Sequence, residues 1–281
     1  MTFGLNLSRA AALLIILHTG QALTARMKKE SRGMLITTDG IVIRERSVGE
    51  NDKFIEILTG DLGVVEVSVK GVKKITAKNS SSTQLFSYSK FCLLKKGNRY
   101  ILNSSEPIRS FYELRLELER LSLASYFSEI IRFSVLSEEP SISVLRLFLN
   151  TLHYLSSGER SCAFLKSVFE LRFLCEIGLM PNLIGCKSCS CYENDDMYFL
   201  TGEGILLCSS CMHIETSSVY KVSKTVLYTL RYIALSDFEK LFSFRVGDNI
   251  LKELNKITED YLICQLNRSF KTLEFYKSIT G

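Results

Sequence analysis

Several residue types and motifs are scarce in this chain, and each absence narrows the range of possible functions. The 281 residues include no tryptophan, three prolines and three histidines. So few prolines, together with 16 glycines, exclude a collagenous or low-complexity chain. No apolar run approaches the roughly 18 residues that a membrane-spanning helix needs. No sequence repeat with a period of about 20 to 50 residues is present, so a solenoid is not predicted.

The motifs of the common nucleotide-dependent and hydrolytic enzymes are also missing. There is no GxxxxGK[ST] phosphate loop, no GxGxxG, no GxSxG and no HExxH. His153 lies in a helical pattern and His213 lies beside a cysteine cluster, and no pair of acidic residues stands out from solvated helix faces. The sequence therefore predicts a protein that is not an enzyme.

Residues 1–33 differ in composition from the rest of the chain. An apolar run from Ala10 to Leu17 follows a weakly basic N-terminus and precedes several small residues. This segment allows two interpretations: a secretory signal, or an upstream start codon with translation beginning at Met27 or Met34. We favour a mis-set start or a non-essential extension, because the cysteine pattern described below indicates a reducing compartment.

From Met34 onward, short alternating or apolar segments separated by turn residues predict a small β domain, residues 34–106. The expected strands cover 36–44, 53–58, 64–70, 85–95 and 99–104. In the third of these, Val65, Val67 and Val69 alternate with polar residues, and the Gly-Asn pair at 97–98 predicts a hairpin turn. These strands favour a small barrel of the OB type, since closure of the sheet removes its exposed edges.

Eight basic residues and no acidic residue lie between Lys70 and Arg99. The remaining 27 of the 35 basic residues are outnumbered by 30 acidic ones, so this stretch accounts for the whole positive balance. Cations at this density neutralise phosphates and release counterions, as they do in single-stranded nucleic-acid sites. The alternative is a solvated lysine surface. Interleaved aromatic residues are better explained as barrel core than as stacking platforms: Phe86, Tyr88, Phe91 and Tyr100.

The second half of the chain, residues 107–281, is predicted to be a helical domain. Pro107 is expected to end the barrel, and SFYE at 110–113 has the capping-box pattern that opens a long helix. Further helices are expected over 143–155, 161–177 and 223–235, and from 248 toward 276, with a second capping box at 236–239. Short loops between amphipathic helices imply an antiparallel bundle. The overall expectation is an α+β chain, an OB-fold barrel followed by an α-helical bundle.

The most specific local motif is CxxC-x18-CxxC, in an insertion at residues 182–213 of the helical domain. Its members are Cys186, Cys189, Cys208 and Cys211. This spacing is typical of a structural Zn²⁺ site, in which four thiolates complete the coordination and leave no position for a substrate. Cys191 and His213 lack a partner at CxxC spacing and are expected to be bystanders. The other cysteines lie in apolar segments and are expected to be buried thiols: Cys92, Cys162, Cys175 and Cys264.

Several short segments, taken in order, carry a resemblance to a known family. They are TDGIVI at 38–43, GENDK at 49–53, KGVKK at 70–74, QLF at 84–86, ASYFSE at 124–129 and FELRFL at 169–174. Gly178, Pro181 and the first cysteine of the motif follow. From about Met34 to Tyr276, the order and spacing of these segments resemble the RecO family of bacterial recombination mediators. Residues 1–33 lie outside the resemblance, which agrees with a mis-set start.

The resemblance implies a non-catalytic DNA repair protein of the cytoplasm, associated with the nucleoid. RecO proteins bind single- and double-stranded DNA, anneal complementary strands and, with RecR, help RecA displace single-strand-binding protein. The candidate phosphate contacts are Lys70, Lys73 and Lys74 in the matching basic segment, then Lys95, Lys96, Arg99, Arg44 and Arg46. The family also binds the acidic, apolar C-terminal tail of single-strand-binding protein, for which the candidates are Arg115, Arg120 and Arg132. A solvated helix face explains these three arginines about as well.

Two other functions stay open at this stage. One is a protein-interaction scaffold with a structural zinc and only incidental DNA binding, which tight partner binding and weak DNA affinity would favour. The other is an enzyme with a structural zinc, against which the missing motifs weigh; turnover of a nucleic-acid substrate would revive it.

Overall fold

The computed structural model describes residues 33–71, 80–194, 196–213 and 218–281, so the predicted extension lies outside them apart from Gly33. Its first part is a closed barrel of five strands: β1 (Met34–Val48), β2 (Asp52–Thr59), β3 (Gly63–Val69), β4 (Ser87–Lys96) and β5 (Arg99–Ser110). The strand order is β1-β2-β3-β5-β4, and β4 pairs with β1 to close the barrel. The β3–β5 pair is parallel and the other pairs are antiparallel. This architecture is the OB-like barrel that the sequence predicts.

Alternating side chains fill the barrel. In β3, buried Val65, Val67 and Val69 are separated by exposed or half-buried residues. The register pairs Ile55 of β2 with Val67, and both belong to a buried cluster that also includes Phe91 of β4. The two-residue period of the strands therefore sorts one face of each strand into the interior and the other to the surface.

The last strand of the barrel is longer than expected. The expectation that Pro107 ends the barrel is wrong, because β5 continues to Ser110 and Pro107 is paired with Ser89. Among the described residues, β3 pairs with β5 only at Tyr100 and Ile101, which leaves the later part of β5 paired on one side. A proline is tolerated at such an edge because its missing N–H is not needed there.

The segment after β5 also differs from the expectation. The predicted capping box at 110–113 is wrong, because Ser110 still belongs to β5. A short 3-10 helix spans Tyr112–Leu116, and neither it nor the following helix has a side-chain cap. The first α-helix consequently begins at Leu118.

The described residues form six α-helices: α1 (Leu118–Ser134), α2 (Ile142–Ser157), α3 (Cys162–Glu176), α4 (Lys224–Leu235), α5 (Asp248–Leu266) and α6 (Lys271–Thr280). The hydroxyl oxygens of Ser161 and Ser223 accept hydrogen bonds from the first turns of α3 and α4, which explains where these helices begin. None of the described helices has the length and apolarity that crossing a membrane requires.

The C-terminal part departs from the expectation in two places. Residues 236–239, the second expected capping box, form a bend and turns and no helix. The single long helix expected from 248 toward 276 is instead two helices, because Asn267 has a left-handed backbone at φ 47° and ψ 46°. Asparagine tolerates this conformation better than most residues, so it ends α5.

A small second sheet lies between α3 and α4 in the chain. Its strands are β6 (Asn182–Cys186), β7 (Met197–Leu200), β8 (Ile205–Cys208) and β9 (Val219–Val222), in the order β6-β8-β7-β9. Between the two CxxC pairs, β7 and β8 form an antiparallel pair. Arg231 of α4 holds the edge strand β6, since it donates to the carbonyl oxygens of Leu183 and Ile184 at 2.7 and 3.0 Å.

A second hydrophobic core, separate from the one inside the barrel, joins the barrel to the helices. Ile41 and Phe86 of the barrel part belong to the same buried cluster as the helices. The Phe86 ring contacts Phe148 of α2 with centroids 6.5 Å apart, and Phe127 of α1 stacks on Phe169 of α3 at 4.1 Å. This continuous packing fixes the barrel against the first three helices.

A polar network is buried among the helices. The Lys166 Nζ atom lies 2.9 Å from carboxylate oxygens of both Glu170 and Glu259. Glu170 also accepts hydrogen bonds from Tyr126 at 2.8 Å and from Thr258 at 2.7 Å. Burial raises the pKa of Glu170. The network links α1, α3 and α5 through one carboxylate.

The chain between α1 and α2 crosses one end of the barrel, and we call residues 136–141 the barrel strap. The Glu138 N–H donates to the Leu62 oxygen at 2.8 Å, and the Ser141 N–H donates to the Gly60 oxygen at 2.7 Å. Gly63 has a φ of 62°, and a Cβ atom there would lie 2.0 Å from the Leu136 oxygen. Only glycine permits this close approach of the strap to the barrel.

Candidate nucleic-acid interface and metal centre

Two strand ends bring the four predicted metal ligands together. β6 ends at Cys186 and β8 ends at Cys208, and these strands are parallel neighbours, so their ends lie on the same side of the sheet. A tight turn follows each strand: the Ser190 N–H donates to the Cys186 oxygen at 2.9 Å, and the Cys211 N–H donates to the Cys208 oxygen at 3.0 Å. The sulfur atoms of Cys186, Cys189, Cys208 and Cys211 all lie within 4.8 Å of one another.

The sulfur geometry fits one tetrahedral ion. The Sγ atoms of Cys189 and Cys208 are 3.6 Å apart. Metal–sulfur bonds of about 2.3 Å place tetrahedral sulfurs roughly 3.8 Å apart, whereas a disulfide bond is about 2.05 Å long. All nine cysteines are free. Burial opposes ionisation of Cys186, but hydrogen bonds from the backbone of Cys189, Cys208 and Ser188 outweigh it and lower the pKa of Cys186 to about 6. Thiolate is the metal-binding form, so these four residues could hold a metal ion.

The remaining cysteines and His213 are not part of this group. The four-cysteine group is the one candidate cluster of metal ligands among the described residues, and Cys191 instead donates to the Glu193 oxygen at 3.4 Å. The expectation of buried thiols elsewhere is wrong, because those side chains are half-buried: Cys92, Cys162, Cys175 and Cys264. Burial nevertheless raises the pKa of Cys162 and of Cys175 to about 12.

A groove of about 1010 Å³ crosses the barrel surface, and we call it the barrel groove. Its lining comes from β2, β3, the residue after β3, the turn and first residues of β5 and the barrel strap, and it includes Lys70, Arg99 and Phe54. Lys96 is exposed and pairs with Arg99 across the β4–β5 hairpin. Two of the predicted phosphate contacts therefore line one groove, and a third is paired with one of them. Lys73 and Lys74 lie outside the described residues.

Lys95 has a different environment from these cations. Its ammonium group forms an ion pair with Glu138 of the barrel strap and lies 5.4 Å from the centre of the Tyr100 ring. The Tyr100 hydroxyl donates to the same carboxylate at 3.1 Å. The hydrogen bond from Lys95 lowers the pKa of Glu138, and the same bond raises the pKa of Lys95. The Glu138 carboxylate thus binds the Lys95 ammonium group, which was predicted to contact a phosphate.

The two arginines of β1 also have acidic partners. The Arg44 guanidinium lies 2.9 Å from Glu56, and that of Arg46 lies 3.7 Å from Glu66. Both glutamates line the barrel groove. The groove therefore carries both signs of charge, with Lys70 and Arg99 as its cations.

The aromatic residues of the basic stretch belong to the protein interior, which confirms their interpretation as core. Phe86, Phe91 and Tyr100 are buried, and Tyr88 is half-buried. Two aromatic residues line the barrel groove, Tyr100 and Phe54, and the Arg46 guanidinium lies 5.2 Å from the centre of the Phe54 ring. Sequence reasoning missed Phe54. The alternation of β2, in which its neighbours Lys53 and Ile55 point inward, is the signal that places it on the outer face.

Glu56 joins the barrel to the first helix. Its carboxylate accepts hydrogen bonds from Arg44 of β1 and from both Nε and Nη2 of Arg132 in α1, the latter at 3.0 Å. Burial opposes ionisation, but the hydrogen bonds from Arg132 and Arg44 lower the pKa of Glu56. Arg44, a predicted DNA contact, and Arg132, a predicted partner contact, therefore bind the same carboxylate, that of Glu56. The sequence analysis does not identify Glu56.

The other two candidate partner residues have different contacts from Arg132. Arg120 pairs with Glu117 at 2.8 Å and donates to the Ser156 oxygen at 3.1 Å. Arg115 is exposed and donates to the Leu85 oxygen at 3.0 Å. Apolar side chains near Arg115 in the chain are also exposed: Tyr112 at 56%, Leu116 at 70% and Leu118 at 57%. Arg132 also has exposed apolar neighbours in the chain, since Phe133 is 42% and Leu136 is 60% exposed.

Comparison with known proteins covers almost all of the described chain. The family model described as Recombination protein O N terminal matches residues 34–111, and Recombination protein O C terminal matches residues 115–274. The DNA repair protein RecO of Acetivibrio thermocellus is 35% identical over 244 residues, covering 87% of this chain and 97% of that protein. The DNA repair protein RecO of Alkaliphilus metalliredigens is 31% identical, covering 88% of this chain and 100% of that protein. This chain therefore belongs to the RecO family of DNA repair proteins.

Proposed function

We propose that this protein is a recombination mediator that binds single- and double-stranded DNA without catalysing a reaction. The observation that carries the proposal is the barrel groove, lined by Lys70, Arg99 and the ring of Phe54. Cations neutralise phosphates and release counterions, and an aromatic face stacks on bases without regard to sequence. Lys96 extends the same proposed contact surface, and Lys73 and Lys74 are proposed as further contacts because they follow Lys70 in the basic segment of the sequence.

Annealing of complementary strands needs no nucleotide hydrolysis in this proposal. Two strands held on a cationic surface repel each other less, and base pairing then supplies the free energy of the reaction. Arg44, Arg46 and Lys95 are proposed as further contacts, each of which must first leave its acidic partner. The protein would act in the cytoplasm, on the nucleoid.

The proposed partners follow from family membership. With RecR, the protein would assist RecA in replacing single-strand-binding protein on gapped DNA. For the acidic, apolar tail of single-strand-binding protein, we propose contact at Arg115, because a cation beside exposed apolar side chains suits such a peptide. Arg120 and Arg132 are proposed as secondary contacts, since both already have partners within the chain.

We further propose that the four-cysteine group binds Zn²⁺ with a structural role. Four sulfur donors satisfy the tetrahedral preference of zinc and leave no open position for a substrate. The residues that would hold the ion are the last residues of β6 and β8 and one residue in each turn that follows, so binding would fix the two strand ends and their turns together.

A salt series of DNA binding tests the main proposal. The reversal variant Lys70→Glu/Arg99→Glu is compared with Lys252→Glu/Lys256→Glu, which changes the same charge at exposed positions of α5. Fluorescence anisotropy with single-stranded DNA is expected to show a salt slope smaller by about 1.4 in the first variant, at about 0.7 per lost phosphate contact.

Equal slopes for the two variants would contradict the proposed groove. A weak, flat salt dependence of the wild-type protein together with tight partner binding would favour the scaffold alternative instead. Annealing of labelled complementary strands, followed by fluorescence transfer, is expected to slow in the groove variant and not in the α5 variant.

A further inference from the structure

One acid from a distant part of the chain is placed against the acid-free stretch between Lys70 and Arg99. Glu138 of the barrel strap forms its ion pair with Lys95, 43 residues away in sequence, and accepts the Tyr100 hydroxyl bond. Glu138 also lines the barrel groove together with Lys70 and Arg99. The carboxylate therefore lies in the same groove that carries the proposed phosphate contacts.

The backbone holds Glu138 in an unusual conformation to achieve this placement. Its φ is 68°, a left-handed value that a side chain of this length disfavours. The neighbouring bonds over-determine the position: the Glu138 N–H donates to Leu62, and Ser137 forms an isolated β-bridge with Gly63. Residues held in such conformations cluster at binding and switch sites, where the surroundings pay for the strain.

The groups that face Glu138 are those that recognise a phosphate oxygen. An ammonium and a phenolic hydroxyl donate to one carboxylate oxygen, and a phosphodiester oxygen accepts from the same donors. Both members of the ion pair are accessible, since the Lys95 side chain is 25% and the Glu138 side chain 53% exposed. An exposed ion pair of this kind is weak, so a competing anion can exchange for the carboxylate without unfolding the barrel.

We propose that Lys95 and Tyr100 form a phosphate subsite of the barrel groove, which Glu138 occupies in the free protein and which the nucleic-acid backbone takes over on binding. This inference rests on the proposed DNA binding. In this proposal, the Glu138 carboxylate competes with phosphate for the Lys95 and Tyr100 donors, which weakens binding of any isolated anion. A nucleic-acid strand displaces the carboxylate because Lys70 and Arg99 hold neighbouring phosphates at the same time.

The test compares two neutralising variants of adjacent residues. Glu138→Gln removes the competitor, whereas Glu139→Gln removes the same charge from an exposed neighbour. In anisotropy measurements with oligo-dT, the first variant is expected to bind up to about fivefold more tightly than the Glu139→Gln variant, which corresponds to the upper end of what an exposed ion pair contributes. The salt slopes of the two variants are expected to be equal, because Lys95 neutralises the same phosphate in both complexes.

Lys95→Gln provides the decisive cross-check. In the Lys95→Gln/Glu138→Gln double variant, the gain is expected to vanish, because the ammonium for which the carboxylate and the phosphate compete is missing. If the Glu138→Gln variant is poorly folded by thermal unfolding, Glu138→Asn replaces it, since asparagine tolerates the left-handed backbone.

Three outcomes overturn the proposal. Equal affinity of the Glu138 and Glu139 variants would refute the subsite while leaving DNA binding by the groove intact. A gain that persists without Lys95 would show that Glu138 acts only through its charge. Weak, salt-independent binding by the wild-type protein would instead refute the proposed function itself, and the variants would then not differ.

Discussion

Replacement of Glu56 by glutamine is expected to loosen the contact between the barrel and the first helix. Glu56 accepts hydrogen bonds from Arg44 and from two nitrogen atoms of Arg132. Glutamine keeps the shape of the side chain but removes the charge and one acceptor oxygen, so the two guanidinium groups lose their shared counter-ion. The control is Glu66→Gln, which breaks the 3.7 Å pair with Arg46.

The exposure of the partners sets the magnitude. The Glu56 side chain is 16% exposed, against 28% for Arg132 and 48% for Arg44. Charge-assisted hydrogen bonds contribute about 1.5–3 kcal/mol when buried, and exposed ion pairs contribute below about 1 kcal/mol. For this intermediate case we expect the free energy of unfolding to fall by about 1–2 kcal/mol. The Glu66 pair is more than half exposed, so its loss is expected to leave stability unchanged.

Thermal unfolding of the two variants measures this difference, and its pH dependence tests the cause. At this chain length, about 1 kcal/mol corresponds to a shift in Tm of roughly 2–4 °C. The pKa of Glu56 is lowered in the folded protein from its ordinary 4.5. Its contribution is therefore complete above pH 4.5 and is lost as the pH falls through the lower folded value. Equal Tm values for the Glu56 and Glu66 variants at pH 7 would refute the reasoning, as would a difference that survives in strong acid.

Three further perturbations have defined outcomes. Gly63→Ala places a Cβ atom 2.0 Å from the Leu136 oxygen at a φ of 62°, and it is expected to lower the free energy of unfolding in urea by about 2–5 kcal/mol. The control Gly97→Ala has a φ of 58° and no atom within 4 Å of the added Cβ, so a loss of about 1–2 kcal/mol is expected. Glu170→Ala leaves Lys166 with one carboxylate fewer in a buried network and is expected to lower the unfolding free energy by about 3–5 kcal/mol in the same assay, whereas a loss below 1 kcal/mol would contradict the network. Removal of metal by a strong chelator is expected to release one equivalent of Zn²⁺ to a colorimetric indicator and to lower Tm, while the salt slope of DNA binding at 25 °C stays unchanged; a slope that follows the metal would place the ion at the DNA surface.

Features that depend on local pattern could be predicted from the sequence. The alternation of Val65, Val67 and Val69 marks a strand of the barrel, and the CxxC spacing assembles the sulfur cluster because each turn is closed by its own backbone. The end of β5 could not be predicted from the sequence. Pro107 is tolerated because the later part of β5 is paired on one side, with β4. That arrangement depends on the barrel topology and not on the residues around Pro107.

The charges of the candidate site show the same limit. The sequence shows which residues are basic, but it does not show which acids the fold brings to them. Glu56 meets Arg132 across 76 residues, and Glu138 meets Lys95 across 43. Both pairings arise because α1 and the barrel strap pack on the barrel. As a result, Arg132 and Lys95, which the sequence suggests as partner and DNA contacts, each have an acidic partner within the chain.

The barrel is closed by strand pairs of very unequal length. Along the β3–β5 line, the described residues are paired only at Val67–Tyr100 and Ser68–Ile101, whereas β4 and β5 are paired from Ser87–Ser110 to Lys96–Arg99. The β3–β5 pair therefore has few bonds to lose, and a force that pulls the barrel open is expected to separate these two strands first. The β3–β5 pair is therefore expected to be the mechanically weakest line of the barrel wall, and residues of both strands line the barrel groove.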